Sequence, residues 1–189
     1  RDLRMSRGLG DVYKRQTFML NPRMDEGAVI ASRRVAIADD DNAGTLHDKL
    51  MTEGARLVTE SVNAVAADGF RPEPQAMKEE LKPAPKIFKE TCHVDFMAEG
   101  VRIVNLVRGV SPYPGAWAML RERAVTDEVL IREGSVKFYS VVFLPDADVA
   151  DAPGSVAVEN GTMRIACRDG YILPQQVQPC LLYTSPSPR

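Results

Sequence analysis

The chain has 189 residues, 44% hydrophobic and 26% charged, with 24 Lys/Arg against 26 Asp/Glu and a sequence pI near 5.8. That balance argues against a protein that holds nucleic acid by net charge, whose footprint is a strongly basic surface. No apolar run approaches the roughly 20 residues needed to span a bilayer, and the cysteines form neither a metal spacing nor a disulfide framework, so a reducing compartment is expected.

Both ends read as foreign sequence. Residues 180–189 can be encoded by TGTCTCTTATACACATCTCCGAGCCCACGA, which looks like a transposase-type sequencing adapter. Its reverse complement, read one base along, encodes residues 7–15. The expectation is that residues 1–16 and 180–189 are adapter-derived, so fold reasoning is confined to residues 17–179. Setting aside the six basic and two acidic residues of these ends leaves a net charge of −6. Any contact with RNA must then come from a local patch or from a part of the protein outside this sequence.

Residues 17–20 read as a strand cut off by Asn21-Pro22. Met24-Asp25-Glu26-Gly27 is a turn whose Gly can take positive φ, and residues 28–31 and 33–37 form the next strand. The acidic loop Asp39-Asp40-Asp41-Asn42 leads into a helix over about residues 45–67, capped by Asn42 or Thr45. Leu46, Leu50, Leu57, Val58, Val62 and Val65 recur on it at amphipathic spacing, and Asp68-Gly69 stops it.

Residues 71–92 carry four prolines and alternating charge, which suits an extended linker. Residues 94–96 read as a short strand. Residues 97–108 read as a helix burying Val101, Val104 and the Leu106-Val107 pair, ended by Gly109 and the prolines at 112 and 114. The pattern then shortens. Residues 116–123, 134–144, 154–159, 163–167 and 171–177 read as strands, separated by turns at Asp127-Glu128, Pro145-Asp146, Asn160-Gly161 and Asp169-Gly170. Five short strands in so few residues suggest a small Greek-key barrel of the OB type.

Three pieces, in order, carry a resemblance. They are Ala84-Pro85-Lys86-Ile87-Phe88-Lys89-Glu90, then Val94-Asp95-Phe96, then Arg108-Gly109-Val110-Ser111-Pro112-Tyr113-Pro114-Gly115-Ala116-Trp117. In this order and spacing the chain resembles the methionyl-tRNA formyltransferase family at the junction of its catalytic and C-terminal domains. The resemblance implies that residues 17–70 are an α/β remnant, the C-terminal part of a Rossmann-like formyltransferase domain. Residues 71–92 would be the linker, and residues 93–179 a truncated OB-like domain with one preceding helix. The parent would transfer a formyl group from 10-formyltetrahydrofolate to the amine of initiator methionyl-tRNA. It would be a cytoplasmic monomer with no membrane or DNA partner. The alternatives are a non-catalytic RNA-binding module, a related sugar-nucleotide formyltransferase, or the hydrolase relative of the fold.

The resemblance also implies site residues. Met24-Asp25-Glu26-Gly27 matches a Leu-Asp-x-Gly-like loop, with Met for Leu, and makes Asp25 the catalytic aspartate. The local reading is that Asp25 only shapes a turn. Formyl transfer needs a proton carrier and oxyanion donors as well as a carboxylate. The Asn-x-His-like motif that would supply them is absent from this sequence, so the chain itself is expected to be inactive. His47 and His93 read as surface or packing residues. Lys86 and Lys89, with Lys82 nearby, fall on the linker motif and imply contacts with the tRNA backbone, as does Arg108. The alternative is a solvated face neutralised by Glu79, Glu80 and Glu90. Tyr113 and Trp117 read either as an RNA-facing edge or as packing between helix and barrel. Cys92 and Cys167 read as buried, inert thiols. No metal ligands are expected.

Overall fold

The structure, a computed structural model, describes residues 12–22, 27–67, 69–75, 85–123, 130–159 and 161–180. The chain divides into two compact units, Arg1–Pro85 and Lys86–Arg189.

In the first unit β1 (Val12–Phe18) pairs antiparallel with β2 (Val29–Ala36), in register from Tyr13↔Val35 to Thr17↔Ala31. The two expected strands pair, and the expected turn at residues 24–26 lies outside the described residues; β1 begins at Val12, earlier than the strand start expected at Thr17. Alternation explains the pairing: Tyr13, Arg15 and Thr17 are partly buried, while Lys14, Gln16 and Phe18 are exposed. The inward side meets α1 (Ala43–Ala66). Thr17 Oγ1 lies 2.6 Å from Ser61 Oγ, and Arg33 pairs with Glu53 and Glu60.

Asn42 caps α1 as expected, and Thr45 is its partner in a capping box rather than a rival cap. Asn42 Oδ1 accepts the Thr45 N–H at 2.9 Å, and Thr45 Oγ1 accepts the Asn42 N–H at 3.0 Å. Leu46, Leu50 and Leu57 are buried, whereas Val58, Val62 and Val65 face outward. A two-stranded sheet is too narrow to cover the whole apolar arc of the helix. The start of the proline-rich segment is tied down: Glu73 and Val29 exchange both backbone hydrogen bonds, and Gln75 Nε2 donates to the Gly27 carbonyl.

In the second unit the proline-rich segment ends in structure rather than as an extended linker. Residues 90–92 form one 3-10 turn, Cys92 is buried, and Ile87 packs on the core. The expected strand at 94–96 reduces to a single parallel bridge, His93↔Trp117. The reason is Asp95, whose carboxylate takes the Met97 N–H at 2.9 Å and turns the chain. That turn shifts the next helix, α2 (Gly100–Val110), three residues later than its sequence reading. Ile103, Val107 and Val110 are its buried stripe, while Val101, Val104 and Leu106 are only partly buried. Gly109 lies inside the helix.

Five antiparallel strands follow: β3 (Ala116–Arg123), β4 (Leu130–Pro145), β5 (Val156–Glu159), β6 (Thr162–Cys167) and β7 (Gly170–Cys180). Their spatial order is β3-β4-β7-β6-β5. Strands β5, β6 and β7 are joined in sequence by hairpins and β4 lies beside β7, which is a Greek key. Asn160 and the turn at 127–128 lie outside the described residues, but Gly161 keeps the positive φ of 77° that its hairpin requires. Register shifts between Phe138 and Val141 let the long β4 bend while it pairs with both β3 and β7. One core joins α2 to the sheet: Cys92, Val94, Ile103, Val107, Ala116, Phe138, Val141, Ile165 and Ile172 among others. No β3–β5 pairing closes the sheet among the described residues.

Candidate functional site

Asp25 lies outside the described residues, as does Lys82. The described residues resume at Gly27, where a Cβ would run into the carbonyl oxygen of Met19. The Met19 N–H meanwhile donates to the Ala28 carbonyl at 2.9 Å. Only glycine fits this crossing.

The basic residues open the second unit. Lys86 and Lys89 are both exposed and both rest on aromatic rings: Lys86 Nζ is 5.5 Å from the Phe88 centroid and Lys89 Nζ 5.1 Å from that of Trp117. The 3-10 turn at 90–92 brings His93 edge-to-face against Trp117, with centroids 4.7 Å apart. Trp117 also donates its indole N–H to the Lys89 carbonyl at 2.9 Å. It therefore packs on the core and holds the end of the linker.

Tyr113 does neither. It is 85% exposed on the turn between α2 and β3, which rules out the reading that it packs helix against sheet. Both X–Pro bonds of that turn, Ser111-Pro112 and Tyr113-Pro114, are cis. Arg108 sits partly buried in the last turn of α2, where a cation suits the helix dipole.

The sequence reading missed Lys137. It stands directly across from Trp117 and donates to the Pro114 carbonyl at 3.3 Å. Next to it in register is Gln178, whose Oε1 accepts from the Tyr139 hydroxyl at 2.7 Å. Strand alternation puts Ser135 and Lys137 on one face, but only the register reveals Trp117 as the neighbour.

Cys92 and Cys167 are buried as expected. Burial pushes both thiols up, reinforced at Cys92 by the charge of Glu90, so neither supplies thiolate at neutral pH. His47 is exposed and lies 3.3 Å from Asp48. Among the described residues no group of three or more His, Cys, Asp or Glu could hold a metal, and no helix is long and apolar enough to cross a membrane.

The arrangement defines a small Greek-key β domain whose entry segment carries exposed cations on aromatic supports. The profile of the family described as formyl transferase, C-terminal domain matches residues 86–180, half of the chain. The chain belongs to that family. A methionyl-tRNA formyltransferase of Bacteroides fragilis is 40% identical over 163 residues, covering 82% of this chain and 47% of the relative. One from Flavobacterium johnsoniae is 33% identical over 156 residues, with the same coverage. The chain thus spans about half the length of the curated relatives it matches. Among solved structures, a variant of HypX from Aquifex aeolicus superposes with a TM-score of 0.60 at 21% identity, over 88% of this chain and 28% of that one. HypX in complex with tetrahydrofolic acid gives 0.56 at 22% identity, over 85% and 26%. These two likenesses are of fold.

Proposed function

We propose that this chain is part of a methionyl-tRNA formyltransferase, whose whole protein moves a formyl group from 10-formyltetrahydrofolate to the amine of initiator methionyl-tRNA. One observation carries this: the 40% identity to the Bacteroides relative covers 82% of the chain, more than either compact unit contains, so it must run through both. A folate-type donor is also supported by the tetrahydrofolic acid bound to the HypX neighbour.

In this reading the first unit is the last part of a Rossmann-like catalytic domain. The second is a small open barrel of the OB type, a reading supported by its Greek-key order. The amine loses a proton, its lone pair forms the new C–N bond at the formyl carbon, and the bond from that carbon to the folate nitrogen breaks as that nitrogen takes up a proton. Asp25 orients the proton carrier, and an Asn-x-His pair outside this sequence supplies the remaining groups. Lys86, Lys89 and Arg108 meet phosphates of the tRNA. The whole protein works as a monomer in the cytoplasm.

The test is a chimera in which residues 17–179 replace the matching part of the Bacteroides fragilis relative. It should formylate initiator methionyl-tRNA, and Asp25→Asn should cut turnover by about four orders of magnitude without unfolding it, as losing an orienting aspartate does elsewhere. A folded chimera that leaves methionyl-tRNA untouched would overturn the proposal. Formylation of an amino-sugar nucleotide instead would move the chain to that branch of the fold. Near-normal turnover with Asn at position 25 would remove Asp25 from the chemistry.

A further inference from the structure

Trp117 holds one lysine at two points. Its indole N–H donates to the Lys89 carbonyl oxygen at 2.9 Å, and its ring lies under the Lys89 ammonium, 5.1 Å from Nζ to centroid. The ring is braced by His93 edge-to-face, and the Trp117 carbonyl accepts the Val94 N–H at 2.8 Å. A single residue of β3 thus fixes both the main chain and the side-chain tip of Lys89. The two neighbouring lysines are held differently. Lys86 rests on Phe88, itself exposed on the same segment, and Lys137 gives its ammonium to the Pro114 carbonyl.

This matters because a lysine stem free in water samples many rotamers, and binding an anion must suppress them. An ammonium already resting on an indole has given up part of that freedom beforehand, which is how preorganisation raises affinity. The ring uses none of the ammonium's three donors. Those facing away from it stay available to phosphate oxygens.

We infer that Trp117 is a positioning residue for phosphate recognition, acting through Lys89 by holding that ammonium at a fixed point where the proline-rich segment joins the β domain. The inference rests on the reading of Lys89 as a tRNA contact.

The experiment uses the chimera described above, with formylation kinetics measured against methionyl-tRNA concentration at several salt concentrations. Trp117→Leu should raise the tRNA KM about three- to fivefold, the size of an exposed cation–π contact, while kcat holds. Its salt dependence should keep most of its slope, because the Lys89 charge remains, whereas Lys89→Ala flattens it. Combined with Lys89→Ala it should add nothing, because both changes remove the same interaction. Trp117→Phe keeps a ring and should stay within about twofold of the parent, with its salt slope intact.

Additive losses in the double variant would overturn the inference. So would a Trp117→Phe KM raised as far as that of Lys89→Ala, an outcome that remains readable even if the Leu variant fails to fold. A parent chimera without formylation removes the function proposed above and this role with it. An active one whose KM ignores Trp117 removes this role alone.

Discussion

Asp41 is 3% exposed, yet its carboxylate is well satisfied. It accepts from the Ala38 N–H at 2.7 Å, from Thr45 Oγ1 at 2.9 Å and from Lys49 Nζ at 2.6 Å. Burial pushes its pKa up, but the bonds from Lys49, Ala38 and Thr45 outweigh burial and hold it below the usual carboxylate range. A carboxyl whose folded pKa is depressed stabilises the fold above its unfolded value, near 4, and loses that contribution as pH falls through the folded value. Asp41→Asn should therefore cost about 2 kcal/mol at pH 7. It should also make the first unit less sensitive to acid below about pH 4, read by urea unfolding at a series of pH values. Equal acid sensitivity in both proteins would show that Asp41 does not set it. In the sequence Asp39, Asp40 and Asp41 look alike. Asp41 differs because Ala38, Thr45 and Lys49 converge on it, three residues before and four and eight after. Cys92 and Cys167, by contrast, were legible, since a lone thiol without ligand neighbours is usually buried.

The first helix shows what periodicity can and cannot say. Its 3.6-residue spacing correctly marks an amphipathic element, and Asn42 with Thr45 marks where it begins. But Leu46, Leu50, Leu57, Val58, Val62 and Val65 all belong to one wide apolar arc, and only the width of the partner sheet decides which are covered. Val58 and Val62 remain 53% and 63% exposed, making an apolar stripe of the kind that promotes association. Val58→Lys with Val62→Lys should shift the unfolding free energy by no more than about 0.5 kcal/mol and lower light scattering at high protein concentration. A loss well above 1 kcal/mol would mean the two valines are covered in solution. The β region was more legible because Asn160-Gly161, Asp169-Gly170 and Pro145-Asp146 punctuate it. Around α2 reading failed by three residues, because Asp95 makes a side-chain turn that competes with the helix start.

At the scale of the whole chain, the division between Pro85 and Lys86 falls inside the proline-rich segment the sequence assigns to a linker. Composition locates such a segment but not the residue at which it joins a core; Ile87 and Cys92 are the joint here. Charge makes a separate point. Residues 17–179 are net acidic by six charges, so attraction to RNA must be local and carried by few cations. In the chimera, Lys86→Ala with Lys89→Ala should raise the tRNA KM and flatten its dependence on salt by about two ion releases. An unchanged slope would make these lysines an ordinary solvated face. The family motif brought Lys86, Lys89 and Trp117 into view as residues. Their mutual arrangement was hidden, because it depends on a turn at 90–92 and a bridge at His93 that no local pattern announces.

The start of α2 has no side-chain cap of its own. The Gly100 N–H is instead taken by the carboxylate of Asp169 at 2.7 Å, 69 residues later. Gly100 is also the only residue type that fits there, since a Cβ would enter the ring of Phe143. Asp169 sits in the β6–β7 hairpin, so the helix acquires its terminus only when the last two strands are in place. Closing a loop of that length costs on the order of 4 kcal/mol of chain entropy before the contact returns anything. Such distant pairing slows folding. The order of events is thereby constrained: a nascent chain emerging from the ribosome would expose α2 well before it could finish it, and the second unit should reach its native state late and as a whole.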